Sequence, residues 1–385
     1  MVRLLSIVIT VCCLVPAILA AQSPVLVTND EFRPVAQQAL DSLYNRNSEA
    51  AWDIIKPWTN KYPDHPVWAL WRGMELWWKV LEDLENESYD EEFFDKMKEA
   101  DFKAGRFLRN NSGHPDGLIV RAAANGYMAR HKANREEWVS SLNHGRIAYQ
   151  SQQAMKKVLP DFADNLLAEG IIKYYAAYLP DAYPFMRTMS WFFPSGDKEE
   201  GLKLMVRAAN ESLFAGPESR YFLGMIRLNY EQDYTNAVQD FQKLVQKFPN
   251  NSFYRRLFVR SLYNMEKYEL AAIEINKAIE HWDKQNLPYF ETMKEELLYW
   301  KGRIQYRNHD RVNAFHAFTE SFDIGETLPN PDKRTYRMLS AYFAGLTAEK
   351  LNNRAGAVHY YEAAASMNGN SEIKKRAKDQ LGLLD

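Results

Sequence analysis

Two groups of arginine and tyrosine residues offer the clearest chemistry in this sequence of 385 residues. The groups lie 43 residues apart in matching order, and they are Arg256, Arg260, Tyr263 and Asn264, followed by Tyr299, Arg303, Tyr306 and Arg307. Offsets of four and seven place each group on one face of a helix. Arginine binds carboxylates through paired hydrogen bonds, and tyrosine adds a stiff contact surface. Together they predict a groove that binds an extended peptide or a helix of a partner protein, acidic in character or ending in a C-terminal carboxylate. In the alternative interpretation, some tyrosines are core residues and the arginines pair with acids on the helix surface.

No motif for catalysis accompanies these residues. The eight histidines show no HExxH or other paired-ligand spacing, and GxSxG, phosphate-loop and dinucleotide fingerprints are absent from the sequence. The sequence therefore predicts a protein that is not an enzyme and has neither a cofactor nor a metal site.

The composition describes a globular protein with a large core. Hydrophobic residues make up 46% of the chain, charged residues 25% and aromatic residues 14%. Lys and Arg number 48 against 50 Asp and Glu, for a net charge of −2. A nucleic-acid or anionic-membrane binder needs a basic excess, so we expect neither partner.

The first twenty residues predict a secretory signal peptide. Arg3 precedes an apolar run from Leu4 to Val15, and small residues follow up to Ala20, after which we place the cleavage. An uncleaved anchor and a lipoprotein signal are the alternatives. The two cysteines of the chain, Cys12 and Cys13, would leave with the signal, so the exported chain would contain no thiol. Beyond residue 22 no apolar run approaches the roughly 18 residues of a membrane span. We expect an exported protein, periplasmic or extracellular, of bacterial origin.

A small residue followed by an alanine recurs through the second half of the chain. The pairs are Gly224 with Ala237, Gly302 with Ala314, and Gly345 with Ala357. The gap is thirteen residues in the first pair and twelve in the others, which implies one extra residue in the first turn. Apolar residues follow each alanine at helical spacing, and similar offsets occur after Ala51 and Ala271. This order predicts helix pairs in which the small residue lets two helices approach.

The pattern resembles the tetratricopeptide repeat, well over 217–369 and fairly over 30–80. The resemblance implies an all-α fold, an α-solenoid of antiparallel helix pairs wound into a right-handed superhelix. It also implies that the first helix of each pair lines a concave groove, where the two arginine and tyrosine groups would lie. The sequence lacks most of the early tryptophans of that family and its lysine and asparagine carboxylate clamp.

A shorter stretch resembles the inclusion-body-clearance and tetratricopeptide-39-like proteins, as well as exported bacterial repeat proteins. It runs from Gly170 through Leu179-Pro180 to Gly196-Asp197 and Gly201-Leu202. From the residues themselves, Asp197 and Glu200 predict a helix cap, Gly201 predicts close packing, and Pro180 predicts a helix break.

Four regions organise the chain in this interpretation. They are a signal peptide (1–20), an N-terminal helical repeat region (21–160), a central helical hairpin region (161–216) and a C-terminal tetratricopeptide-like array with a capping helix (217–385). Helical periodicity over 90–109, 135–158, 164–178 and 371–384 supports helices in all three parts of the exported chain.

Three features leave other functions open. Residues 183–193 are apolar on nearly every face, so they are buried or form an interaction surface, which would suit an envelope scaffold with peripheral membrane association. Four tryptophans, at 68, 71, 77 and 78, predict a bulky core or, alternatively, a carbohydrate or peptide platform. Glu211-Ser212 resembles the catalytic glutamate–serine pair of lytic transglycosylases, which would make Glu211 the acid of a glycan-cleaving enzyme, although the glutamine of that family's next motif is absent.

Overall fold

Residues 24–183, 187 and 195–384 are described by the computed structural model, and these residues form seventeen α-helices and no β-strand. The helices are α1 (Phe32–Tyr44), α2 (Ser48–Lys61), α3 (Val67–Glu82), α4 (Asp90–Asn110), α5 (Pro115–Asn134), α6 (Trp138–Val158), α7 (Asn165–Ala182), α8 (Lys198–Glu211), α9 (Gly216–Asn229), α10 (Tyr234–Lys247), α11 (Ser252–Asn264), α12 (Tyr268–Gln285), α13 (Phe290–Arg307), α14 (Arg311–Thr327), α15 (Thr335–Lys350), α16 (Arg354–Ser366) and α17 (Ser371–Leu384). The prediction of an all-α fold is confirmed.

Consecutive helices pack as pairs, from α1 with α2 to α15 with α16, and α17 covers the last pair. Turns of three or four residues connect the two helices in six of these pairs, so those helices run antiparallel. First helices of successive pairs also contact each other, α3 with α5, α11 with α13 and α13 with α15. The array is therefore an α-solenoid, as the repeat pattern predicted, in which first helices lie side by side.

Six turns between paired helices in the described chain share one backbone geometry. Each contains a residue with φ between 53° and 68°, and these residues are Arg46, Glu136, Gln232, Glu266, His309 and Asn352. The next N–H donates to a carbonyl five residues earlier in five of the turns. In the turn between α9 and α10, the N–H of Asp233 reaches six residues back to Arg227. That difference is the extra residue predicted from the spacing of Gly224 and Ala237.

Close approach explains the glycines of the repeat. A Cβ added to Gly224 would lie 2.7 Å from the ring of Phe241, and one on Gly302 would lie 2.6 Å from the ring of Phe318. Gly345 has the same relation to Tyr361. Each aromatic ring of the second helix therefore occupies the place of a side chain on the first, which confirms the predicted role of the small residue.

The pair α7–α8 packs even more closely. A Cβ on Gly170 would lie 2.8 Å from the carbonyl oxygen of Gly201, and one on Gly201 would lie 2.7 Å from the backbone nitrogen of Tyr174. Asp197 caps α8 by accepting a 3.0 Å hydrogen bond from the N–H of Glu200, as predicted. The predicted break at Pro180 is wrong, because α7 continues through this residue to Ala182. Pro180 lies in the last turn of α7, where its missing N–H removes only one hydrogen bond of the helix.

Two distant parts of the chain meet along a contact that we call the seam. It joins residues 41–46 and 81–87 to residues 247–256, 295–296 and 330–335. The seam brings the C-terminal ends of α1 and α3 against the later repeats, so the array closes on itself.

Arg334 is the central residue of the seam and is 2% exposed. It donates hydrogen bonds to both carboxylate oxygens of Asp83 at 3.1 Å and to Glu295 at 2.7 to 3.1 Å. Burial and the proximity of Asp83 raise the pKa of Glu295 to about 7, in spite of Arg334. One arginine therefore holds two buried carboxylates in place.

Candidate functional site

Arg256 and Tyr299, at the start of the two predicted groups, serve the fold. Nη2 of Arg256 donates to the carbonyl of Glu82 at 2.8 Å, across the seam, and Nη1 lies 3.4 Å from the carboxylate of Glu296. Tyr299 is 3% exposed, and burial raises its pKa. The structure thus gives these two residues contacts within the chain, which matches the alternative interpretation for them.

Arg260 and Arg303 retain a charge that no nearby acid neutralises. In the described chain neither has a carboxylate within 4.0 Å; Arg260 donates to the neutral side chain of Asn229, and Arg303 donates to the hydroxyl of Tyr299 at 2.6 Å. The guanidinium of Arg303 also stacks 4.2 Å from the ring of Phe343 and 5.5 Å from that of Tyr263. Aromatic stacking fixes its orientation while leaving its charge available.

Arginines near the end of the second predicted group also stack on aromatic rings. Arg307 is half exposed, stacks 4.7 Å from the ring of Tyr268 and has one carboxylate, that of Glu266, at 4.0 Å. Tyr306 stacks with Arg311, whose guanidinium lies 3.9 Å from its ring. The side-chain amide of Asn264, by contrast, donates to the carbonyl of Arg260 within its own helix.

We call Arg260, Arg303, Arg307 and Arg311 the arginine stripe. Among the residues described, its only carboxylate within 4.0 Å is that of Glu266, and aromatic rings support three of the four guanidinium groups. Arg311, the first residue of α14, was not among the predicted groove residues. Its position beside Tyr306 depends on the turn geometry, and an i, i+5 spacing across a turn gave no helical signal.

A second feature is a cavity of about 1170 Å³ in the interior of the array. Its wall is built chiefly from α1, α3, α5, α6, α7, α9 and α11, and most of the side chains facing it are apolar. Arg256 and Arg260 reach this cavity, whereas the other six residues of the predicted groove do not line it. Sequence reasoning missed the cavity, since it is bounded by helices from three separate regions of the chain.

Three acidic side chains of the cavity wall are bonded within the chain. Asp116 accepts from the N–H groups of Leu26 and Val27 at 2.6 and 2.9 Å. Asp164 accepts from three successive N–H groups, of residues 213–215, at 2.6 to 3.1 Å. Glu218 pairs with Arg130 at 2.9 Å. These bonds build the wall and leave its inner surface largely hydrophobic.

The four tryptophans belong to the core. Trp68, Trp71, Trp77 and Trp78 are each at most 8% exposed, which confirms the core interpretation of this run. Trp77 packs among Phe93, Tyr127 and His131 with ring centroids 5.5 to 5.8 Å apart. The four tryptophans therefore pack between the first helix pairs of the array.

Glu211 lies on the surface at the end of α8. Arg207 donates two hydrogen bonds to it, at 3.0 and 3.1 Å, and thereby lowers its pKa. A catalytic acid of a glycosidase needs the opposite shift, because it must carry its proton at the working pH. The geometry at Glu211 therefore gives the glycan-cleaving alternative no support.

Three further expectations concern the apolar segment 183–193, metal sites and membrane-spanning helices. Most of the apolar segment 183–193 lies outside the described residues. Within the described ranges, no three His, Cys, Asp or Glu side chains come together in a way that would hold a metal ion. None of the helices in those ranges is both long enough and apolar enough to cross a membrane.

No protein-family model and no curated protein matches this chain. Among solved structures it is similar to the human IFIT1 dimer with PPP-AAAA, at 14% identity over 88% of this chain and 95% of that chain, with a TM-score of 0.34. It is also similar to the P58(IPK) TPR domain, at 10% identity over 91% of this chain and 97% of that chain, with a TM-score of 0.23. Scores this low carry no argument about function, so the fold assignment depends on the helix pairs and their shared turns.

Proposed function

We propose that this protein is a non-enzymatic interaction module that binds an acidic segment of a protein partner along the arginine stripe. One observation carries the proposal: four guanidinium groups lie on two neighbouring repeats, three of them stacked on aromatic rings, and the only carboxylate within 4.0 Å among the described residues is that of Glu266. Most arginines elsewhere on this surface have acidic partners, as Arg376 has with Glu372. Unpaired, oriented guanidinium groups are what a carboxylate-rich ligand requires.

A peptide titration tests this proposal. The probe is a fluorescent hexaglutamate peptide, with a hexaglutamine peptide as the neutral comparison. We expect the hexaglutamate peptide alone to bind, and we expect its affinity to fall as salt rises from 50 to 300 mM because the pairing is between charges. Replacing Arg260 and Arg303 together by glutamine should weaken binding at least tenfold.

The control variant is Arg376→Gln, which removes an exposed arginine of α17 that is 3.0 Å from Glu372. It changes the net charge by half as much as the double variant and lies outside the stripe. If each removed charge lowered the affinity by the same factor in both variants, the peptide would respond to net charge alone, and the stripe would not be the site. Amidating the C-terminus of the peptide then shows whether the terminal carboxylate contributes.

We also propose that the protein acts outside the cytoplasm of a bacterial cell. The support is the predicted signal peptide of residues 1–20 and the placement of both cysteines within it. Sequencing the N-terminus of the protein recovered from an envelope or culture fraction is the direct measurement. A chain that still begins at Met1 and stays in the cytoplasmic fraction would contradict export.

A further inference from the structure

Two glycines on the wall of the central cavity have no packing role. Gly126 in α5 and Gly145 in α6 both line the cavity, and a Cβ on either would meet no other part of the described chain within 4 Å. A glycine inside a helix costs roughly 1 kcal/mol relative to alanine. The glycines of the repeat offset this cost by letting an aromatic ring approach. At Gly126 and Gly145 the missing side chain only widens the cavity.

The wall around these glycines is apolar and only partly covered. Leu142 lies on the same face of α6 as Gly145, and Leu167, Ile171 and Leu179 line the cavity from α7. All four are intermediate in exposure although they face the interior of the array. A cavity of about 1170 Å³ slightly exceeds the usual range of small-molecule pockets, about 300 to 1,000 Å³. Its hydrophobic surface would be stabilised by an apolar occupant.

The hydrogen bonds already made by the wall favour an alkyl chain over an extended peptide as the occupant. An extended peptide brings one N–H and one C=O per residue, and each needs a partner when it is buried. The buried acids of the wall, Asp116, Asp164 and Glu218, already bond to the protein. An alkyl chain has no polar group to satisfy, so the cavity matches a hydrocarbon better than a peptide backbone.

Two arginines of the cavity wall, Arg260 and Arg146, have no carboxylate within 4.0 Å in the described chain. Arg260 donates to the side chain of Asn229, whereas Arg146 on α6 is exposed to solvent. Leu142 and Tyr149 lie on the same helical face, at offsets of four and three. A charged group bound by Arg146 would thus sit next to the apolar surface while remaining in contact with water.

We propose that the central cavity binds a long-chain amphiphile, with its alkyl chain against α5, α6 and α7 and its anionic end at Arg146. This site adjoins the arginine stripe at Arg260, which lines the cavity, but its ligand is an amphiphile and not the acidic protein segment. The anionic end is a carboxylate or a phosphate, as in a free fatty acid or a lysophospholipid.

Displacement of a fluorescent fatty acid from the purified protein tests the site. The competitors are saturated fatty acids of 8, 12 and 16 carbons, palmitoyl lysophosphatidate and neutral hexadecanol. We expect affinity to rise about fourfold with each added methylene until the chain fills the cavity. The tighter of palmitate and lysophosphatidate identifies the source of the anion. Failure of every alkyl compound to bind would overturn the proposal, as would tight binding of an apolar helical peptide that none of them displaces.

Variants separate the cavity from general hydrophobic adsorption. Gly126→Phe should narrow the cavity where the alkyl chain lies and weaken palmitate at least tenfold, and Gly126→Leu, a smaller change, should act in the same direction. Gly105→Phe is the matched control, because Gly105 lies within α4, does not line the cavity and also has free space around its Cβ position. Equal losses at Gly105 and Gly126 would refute the site. Arg146→Gln should weaken palmitate about fivefold and leave hexadecanol unchanged, whereas equal effects on both would refute the role of Arg146.

Discussion

Replacing Arg334 by glutamine should destabilise the protein by about 3 kcal/mol, because two buried carboxylates lose their shared partner. The side chains of Arg334, Asp83 and Glu295 are only 2%, 4% and 2% exposed, so water cannot replace the lost hydrogen bonds. Breaking a buried ion pair costs about 3 to 5 kcal/mol. We expect the lower value, since Glu295, with a pKa already at about 7, can take up a proton and remove one of the uncompensated charges.

Urea unfolding at pH 7 followed by far-ultraviolet circular dichroism measures this loss. Its matched control is Lys333→Gln at the neighbouring position, where an exposed lysine pairs with exposed Glu87 at 2.9 Å. That pair should contribute no more than about 1 kcal/mol. A second variant, which also replaces Asp83 by asparagine and Glu295 by glutamine, should regain most of the stability, because no charge remains buried. A loss below about 1 kcal/mol for Arg334→Gln, or one equal to that of Lys333→Gln, would refute the central role of Arg334 in the seam.

Two further predictions concern the same fold. Because the pKa of Glu295 is raised to about 7 in the folded protein, the folded state binds more protons than the unfolded state between about pH 4.5 and 7. The free energy of unfolding should therefore fall as pH rises through this window, by at most about 1.4 kcal/mol per pH unit, and Glu295→Gln should remove this component in urea titrations at several pH values. Gly302→Ala should lower the free energy of unfolding by about 1 to 3 kcal/mol, because the new Cβ would meet the ring of Phe318 at 2.6 Å, whereas Gly105→Ala should raise it by up to about 1 kcal/mol. Stabilisation by Gly302→Ala in thermal melts would contradict the close approach of α13 and α14.

The repeat was readable from the sequence because its determinants are local. Gly302 and Ala314 lie on two successive helices joined by a short turn, and the spacing between them follows from helix periodicity and turn length. Even the extra residue before Asp233 could be inferred in this way. The turn between α5 and α6 has the same left-handed residue, Glu136, but without the glycine and alanine signature around it. Its membership in the array was visible only in the backbone.

The proposed binding surface was only half determined by the sequence. Helical spacing placed Arg303 and Arg307 on a shared face, and the structure keeps their charges available. The same spacing included Arg256, but this residue bonds across the seam to the carbonyl of Glu82, which lies 174 residues earlier in the chain. A periodic pattern reports which residues share a face, but it carries no information about which distant segment covers that face.

By itself, then, the sequence determined the helices, their pairing and the chemistry that each helix face could display, since all three depend on residues close together along the chain. Only the tertiary structure decided which arginines stay unpaired, where a cavity opens and how the first helices meet the later repeats along the seam. Arg334 and Asp83 are 251 residues apart, and their contact depends on the accumulated rotation of every helix pair between them. Small changes in each packing angle add along such an array, so the closure has no signature in any short stretch of sequence.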